Sequence, residues 1–295
     1  MSVTVRVPAK VNVQLAVGPP RPDGFHDLAN VFLAVGLYDE VTATPAASPR
    51  LTCTGPDAAH VPLDDSNLAA RAARLLAAHH GVQPAVALHI AKDIPVAGGM
   101  AGGSADAAAA LLACDALWDT RTPREVLLAL GAELGSDVPF ALVGGAALGE
   151  GRGERLTGVK VGGTFYWVFA VADGGLSTPA VYRAFDRLRP DAPPPAPSPA
   201  LLDALRSGDP HALAPTLVND LQPAALSLRP TLADTLACGT ASGALAALVS
   251  GSGPTCAFLA ADAGAAHRVA AALTASGTCR TARVATSPAL PEVRR

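Results

Sequence analysis

Lysine is almost missing from this chain: Lys10, Lys92 and Lys160 stand against 19 arginines among its 22 basic residues. Where arginine so freely replaces lysine on a surface, a retained lysine marks a place where a planar guanidinium cannot substitute. Each of the three is therefore a candidate functional residue. Aromatic residues are scarce at 4%, so the core must be built from Ala, Val and Leu; with 50% hydrophobic and 16% charged residues there is enough to build it, and dominant disorder is excluded. The five cysteines are scattered, odd in number and without a C-x-x-C pair, which argues against a disulfide framework or zinc site and fits a reducing cytoplasm. No strong charge of either sign is present. A net charge of −3 speaks against nucleic-acid or anionic-membrane partners, so an anionic ligand must be held locally. A long apolar run is also lacking, because Gly251, Gly253 and Pro254 interrupt the charge-free stretch 241–261. No export signal is visible, and nothing indicates a protein partner.

At 295 residues the length suits two domains sharing a cleft. Residues 3–17, 31–35, 41–44 and 51–54 read as short strands. A helix capped by Asp65 or Ser66 follows and ends at Gly81, then a strand over 86–90. The Ala- and Leu-rich run Ser104–Trp118 is a strong helix with Asp106 in its first turn, where a carboxylate complements the dipole. A further helix opens at Thr122–Pro123 and closes near Gly131. The segment LGSDVPF, 134–140, reads as too short and mixed for an element. Beyond it, strands at 165–171, 245–249, 256–260 and 280–285 and helices at 179–188, 231–238 and 263–275 give the order of a split, ferredoxin-like α/β sandwich. Six prolines between 190 and 199 make an extended insertion.

The glycine-rich segment PVAGGMAGGSADAAA, Pro95–Ala109, carries the clearest chemistry. Glycines clustered ahead of a helix leave backbone N–H groups free to converge on an anion, and phosphate is the expected one. The segment is not a Walker A loop, because Ser104 stands where lysine is required, and its glycines at 98, 99, 102 and 103 do not fit G-x-G-x-x-G. Gly102-x-Ser104-x-Asp106 lacks the final glycine of a nucleophile elbow. Lys10 and Asn12, two apart on a strand, share a face that an apolar core does not want, although an edge strand could use Lys10 merely to resist aggregation. The Asp23-Gly24 turn presents Phe25 and His26 at a loop tip, as a stacking and hydrogen-bonding pair for a base or as solvated residues. Asp137 sits in a tight apolar segment, as a general base or as a helix cap. SGSGP, 250–254, joins two strands.

Together, PAK-x-N-x-x-L at 8–15, P-x-x-x-G-x-x-G-G-S at 95–104, LGSDVPF and SGSGP resemble the GHMP kinase superfamily. RPDGFHDL at 21–28, LGSDVPF again and VNDLQ at 218–222 are similar to the branch that phosphorylates 4-diphosphocytidyl-2-C-methyl-D-erythritol in non-mevalonate isoprenoid synthesis. The resemblance implies an α+β fold of two domains. Residues 1–156 would form a β-rich ATP-binding domain with the phosphate-loop helix, and 157–295 a ferredoxin-like C-terminal domain. It further implies ATP with Mg²⁺ as cofactors, and phosphorylation of the substrate's 2-hydroxyl. Asp137 would be the base and Lys10 the charge stabiliser. Pro95, Val96, Ala97, Gly98, Gly99, Met100, Ala101, Gly102, Gly103, Ser104 and Ala105 would wrap the nucleotide phosphates, with Ser104 near the metal. Asn67 and Lys92 would lie near the adenine. Asn12, Phe25, His26, Thr178 and Tyr182 would hold the substrate, the two aromatic rings flanking its cytosine. Four positions depart from the family pattern: Phe25 replaces a tyrosine, Met100-Ala101 a Leu-Gly pair, and Ala105 a serine. Another small-molecule kinase of the superfamily, of homoserine or mevalonate type, and a non-catalytic nucleotide-binding protein remain as alternatives.

Overall fold

A computed structural model describes residues 2–294. The first half contains strands β1 (Val3–Pro20), β2 (His26–Pro45) and β3 (Arg50–Thr54), helix α1 (Leu68–His80), strand β4 (Val86–Ala91), helices α2 (Gly102–Trp118), α3 (Arg124–Leu134) and α4 (Val138–Val143), and strands β5 (Ala146–Glu150) and β6 (Arg155–Gly158). In β1 the alternation of valine with polar residues sets the two faces. Val3, Val5, Val7, Val11 and Val13 are at most 3% exposed, while Lys10, Asn12 and Gln14 take the other face. The expected strands at 31–35 and 41–44 are one long strand, β2, which pairs antiparallel with β1 through register shifts near Pro8/Ala9, Asn12/Gln14 and Val17/Pro20. The sequence masks this continuity because Gly36 and the charged pair Asp39-Glu40 look like a break, yet Asp39 is fully buried and neutralised.

The second half contains β7 (Phe165–Val171), α5 (Thr178–Leu188), α6 (Pro199–Ser207), α7 (Pro210–Leu213), β8 (Val218–Asn219), α8 (Gln222–Leu228), α9 (Leu232–Ala241), β9 (Ala246–Val249), β10 (Cys256–Ala260), α10 (Ala263–Ser276), β11 (Thr281–Ser287) and β12 (Glu292–Arg294). Its four strands run β11-β7-β10-β9, all antiparallel, which is the ferredoxin-like order 4-1-3-2. The other sheet follows β12-β1-β2-β4-β3, with β5 and β6 beyond β2 and β8 parallel to β1. The last strand thus returns to the first sheet. The division expected at 156/157 falls inside β6 and leaves β8 and β12 on the far side from their sheet. The proline insertion lies along β1: Gln14 hydrogen-bonds Ala196 O and Ser198 N, and a Cβ on Gly18 would meet Pro195 Cδ at 2.8 Å.

Two further expectations need correction. LGSDVPF does contain an element, since α4 starts at Val138 with Pro139 in its first turn, a position where proline is preorganised. And α2 begins at Gly102, two residues before Ser104, so Asp106 is not in its first turn. This helix is apolar almost all round, with Ala105 and residues 107–111 at most 1% exposed. Such a helix belongs in the core, and alanine lets it lie close to its neighbours. The glycine loop is therefore attached to a helix embedded in the core.

Candidate active site

The glycine loop is folded by its backbone. Ala97, Gly99 and Ala101 have positive φ (53°, 77° and 60°), which alternates the direction of successive peptide groups. At Gly99 only hydrogen fits, because a Cβ would lie 2.1 Å from the Ser250 carbonyl oxygen. That contact joins the loop to SGSGP, reinforced by Ser250 Oγ donating to Gly99 O (3.2 Å) and Thr255 N to Gly98 O (3.3 Å). The glycine turn is fixed by VNDLQ. Asn219 Nδ2 donates to Val249 O and Gly251 O, Gln222 accepts from Val249 N, and Asp220 accepts from Val17 N on β1. The sequence offered these residues only as part of a resemblance; their work is to lock one loop onto another.

A pocket of about 670 Å³ opens where these loops meet. Pro95, Ala97, Gly98, Gly99 and residues 101–104 form one wall. Val96, Met100 and Ala105 do not line it; Met100 and Ala105 point into the core at 0% and 1% exposure. The first N–H groups of α2 have no partner within the helix, so this wall offers donors to an anion. Lys10, 6% exposed, donates from Nζ to Asn12 Oδ1 (2.7 Å) and Gly99 O (3.0 Å) and lies 3.6 Å from Asp137 Oδ2. Asn12 is fixed in turn by donating to Asn30 Oδ1 (2.7 Å). Asp137 occupies the N-cap position of α4, yet its side chain makes no cap hydrogen bond. It lines the pocket beside Ser136 instead. A carboxylate and an ammonium thus meet at the phosphate wall, where a hydroxyl could lose its proton and receive a phosphoryl group.

The other wall is made of side chains. Phe25, His26, Thr178 and Tyr182 all line it. Phe25 is 47% exposed with the Arg152 guanidinium 5.0 Å from its ring centroid. His26 is buried against Tyr182, ring centroids 4.9 Å apart, and Thr178 Oγ1 is 2.8 Å from Ser252 Oγ. Burial first, and then the charge of nearby Asp137, push the Tyr182 phenol up, so it stays a neutral hydroxyl. Arg152, Arg183 and Asp186 also face this space and carried no recognisable signal, being ordinary charges in polar segments.

Two expected adenine contacts are not in the pocket. Asn67 is the N-cap of α1: its Oδ1 accepts from Ala69 N and Ala70 N, and its Nδ2 donates to Pro62 O. Lys92 is 3% exposed and lies between two carboxylates, with Nζ 2.5 Å from Asp39 Oδ2 and 2.7 Å from Asp106 Oδ2. Its ammonium is spent behind the loop, 2.8 Å from where a Cβ on Gly102 would lie. Burial pushes the Asp106 carboxyl up to about 7 despite the opposing pull of Lys92. Of the three retained lysines, then, Lys10 faces the pocket, Lys92 supports the loop from beneath, and Lys160 is a solvated surface residue.

Comparison with known proteins agrees with this geometry. Residues 67–145 match the GHMP kinases N terminal domain and 201–279 the GHMP kinases C terminal domain. The chain is 75% identical over 291 residues to a 4-diphosphocytidyl-2-C-methyl-D-erythritol kinase of Streptomyces avermitilis, covering 98% of each chain. The chain belongs to the 4-diphosphocytidyl-2-C-methyl-D-erythritol kinase family of the GHMP kinases. A kinase of that name from Streptomyces coelicolor is 71% identical over 292 residues, again 98% of both chains. The crystal structure of a 4-(cytidine 5'-diphospho)-2C-methyl-D-erythritol kinase superposes with a TM-score of 0.80 at 36% identity, covering 96% of this chain and 98% of that one. A homoserine kinase from Cytophaga hutchinsonii shares the fold alone, with a TM-score of 0.73 at 18% identity over 99% and 97% of the chains. The two-domain α+β fold expected from the sequence is the fold of this kinase family. Among the described residues no helix is long and apolar enough to cross a membrane.

Proposed function

We propose that this chain is an ATP-dependent kinase that phosphorylates the 2-hydroxyl of 4-diphosphocytidyl-2-C-methyl-D-erythritol and releases ADP, a step of non-mevalonate isoprenoid synthesis. The observation that carries the reading is the meeting, in one pocket, of a backbone phosphate wall, the Lys10–Asp137 pair and an aromatic and imidazole wall. Asp137 accepts the hydroxyl proton. Lys10, held by Asn12 and Gly99, balances charge on the attacking oxygen and the moving phosphoryl group. The loop amides hold the nucleotide phosphates and align them for in-line transfer, which is most of what this chemistry demands. Asn12 stands where the sugar-alcohol end would bind, Thr178 contacts the substrate's cytidyl-diphosphate end, and Phe25 and Tyr182 flank the base.

Magnesium fits this donor set. Ser104 places a hydroxyl on the pocket wall within the first turn of α2, and among the described residues no cluster of three or more His, Cys, Asp or Glu forms a protein cage. Both suit an ion carried mainly by nucleotide phosphates. Ser104 would hold the ion on the protein side, and its charge would offset that of the polyphosphate. The five free cysteines support a cytoplasmic setting.

The test is ADP release measured over a panel of the cytidyl substrate, its uridyl analogue, mevalonate, homoserine and galactose. The cytidyl compound is expected to be turned over, the uridyl analogue poorly, and the other three not at all. Faster turnover of mevalonate or homoserine overturns the substrate assignment and leaves the superfamily intact.

A further inference from the structure

His26 makes one side-chain hydrogen bond that the proposed reaction does not use: its Nε2 lies 2.8 Å from Oδ1 of Asp186. Asp186 sits on α5, four residues after Tyr182, so both side chains project from the same face of that helix. The imidazole is tightly held. It is 7% exposed, lies against the Tyr182 ring, and meets Phe185 edge-on at 6.2 Å and 81°.

An ionised carboxylate can only accept, so the hydrogen of this bond is on Nε2. In the neutral ring Nδ1 is then a lone pair. Among the described residues Nδ1 has no protein partner, and it is not one of the buried polar atoms left unsatisfied. It is therefore not sealed off, and His26 is one of the residues that line the pocket.

We propose that Asp186 is a specificity-determining positioning residue. By fixing His26 as its Nε2–H tautomer it presents Nδ1 as an acceptor to the bound base. An acceptor there pairs with the exocyclic amine of cytosine and opposes the carbonyl that uracil carries at the same position. One short helix thus supplies both the stacking surface, Tyr182, and the group that decides which base edge is accepted. The inference rests on reading this wall as the nucleobase site.

The experiment compares kcat/KM for the cytidyl substrate and its uridyl analogue, at saturating ATP, in the native enzyme and in Asp186→Ala, Asp186→Asn and Asp186→Glu. With the carboxylate removed the ring can present either nitrogen as donor, so the cytidyl-to-uridyl ratio should fall about tenfold, the worth of one mispaired hydrogen bond. The KM for ATP should not move, kcat on the cytidyl substrate should stay within about twofold, and Asp186→Glu should restore part of the ratio. An unchanged ratio in Asp186→Ala, or an equal loss for both substrates, overturns the proposal. If the native enzyme itself shows no preference for the cytidyl compound, the functional reading fails separately. Nitrogen-15 chemical shifts of the His26 ring in the native enzyme give a readout independent of how the variants fold: a protonated Nε2 with a bare Nδ1 supports the assignment, and the reverse tautomer refutes it.

Discussion

The two walls of the pocket are built on opposite plans. The wall proposed to take phosphate is backbone, and it is fastened from behind. Lys92 and two carboxylates lie beneath α2, and two bidentate pairs tie β11 and the residue before it to segments around the loop: Arg280 to Asp57 (2.6 and 2.9 Å) and Arg283, in β11, to Asp93 (3.0 and 2.7 Å). Asp57 also accepts from Val96 N in the loop itself (3.4 Å), and Asp39 from Asp93 N and Ile94 N. The wall proposed to take the base is side chain, set in part on a turn braced by Arg21 with Asp23 and Asp27 and open to solvent at Phe25. A wall of amides excludes added atoms, whereas a wall of rings tolerates exchange with graded loss. The departures from the family pattern follow this division. Phe25 keeps a stacking face on the tolerant wall. Ala105 points into the core, so its missing hydroxyl takes nothing from the pocket. Ala101 is the demanding case, since at φ 60° it occupies a conformation that glycine adopts more readily, at a cost of roughly 1 kcal/mol.

The contrast can be broken most sharply where the walls meet. Asp137→Asn should keep the fold and ATP binding and lower turnover roughly 100- to 10,000-fold, the usual worth of a positioned base; single-turnover kinetics with the cytidyl substrate decide it. Lys10→Arg should be nearly as damaging as Lys10→Ala, because a planar fork cannot take the place of the ammonium between Asn12, Gly99 and Asp137. On the phosphate wall, Gly99→Val should abolish measurable ATP binding, since its Cβ has no room beside Ser250 O, while binding of the second substrate changes far less. Gly102→Val should weaken ATP binding as well, though not through φ, which is not positive there; its side chain meets Lys92 and Ile94. Calorimetric titration with each ligand separates these effects from general unfolding.

On the base wall, Phe25→Ala or Tyr182→Ala should raise the KM for the cytidyl substrate about tenfold or more and leave that for ATP unchanged, stacking being worth about 1–3 kcal/mol per base. The smallest effect is on stability. A carboxyl held at about 7 in the folded protein, against about 4 when unfolded, favours folding while protonated. Its contribution is complete below about pH 4 and lost as pH rises through about 7. Asp106→Asn removes that titration, so the melting temperature of the variant should depend less on pH between 5 and 8 than that of the native protein.

The sequence was readable wherever one residue type repeated at a structural period. The valine alternation of β1, the run over Phe165–Val171 and the Ala-rich α2 emerge close to where they were expected. The lysine shortage singled out Lys10, Lys92 and Lys160 alike; the first two are buried and the third is exposed, and for Lys92 it could not say what the burial serves. Its partners are 53 and 14 residues away, and a buried ion triad has no local pattern. For the same reason Asp106 reads from sequence as a dipole partner and not as a member of that triad. Helices α6, α7 and α8 escaped because prolines at 199, 210 and 223 look like interruptions where they are first-turn residues. Asp186 was invisible because a carboxylate on a polar helix face is ordinary until a histidine 160 residues earlier in the chain folds against it.

The return of the chain to its own first strand limits how the two lobes can move. Besides the connection that follows β6, the second half is stitched to β1 by β8 and again by β12, and the Arg280 and Arg283 pairs add two more ties. A body fastened at several separated points has no single hinge about which to swing. Both glycine-rich loops are anchored to that frame, so the pocket between them holds its shape as part of it.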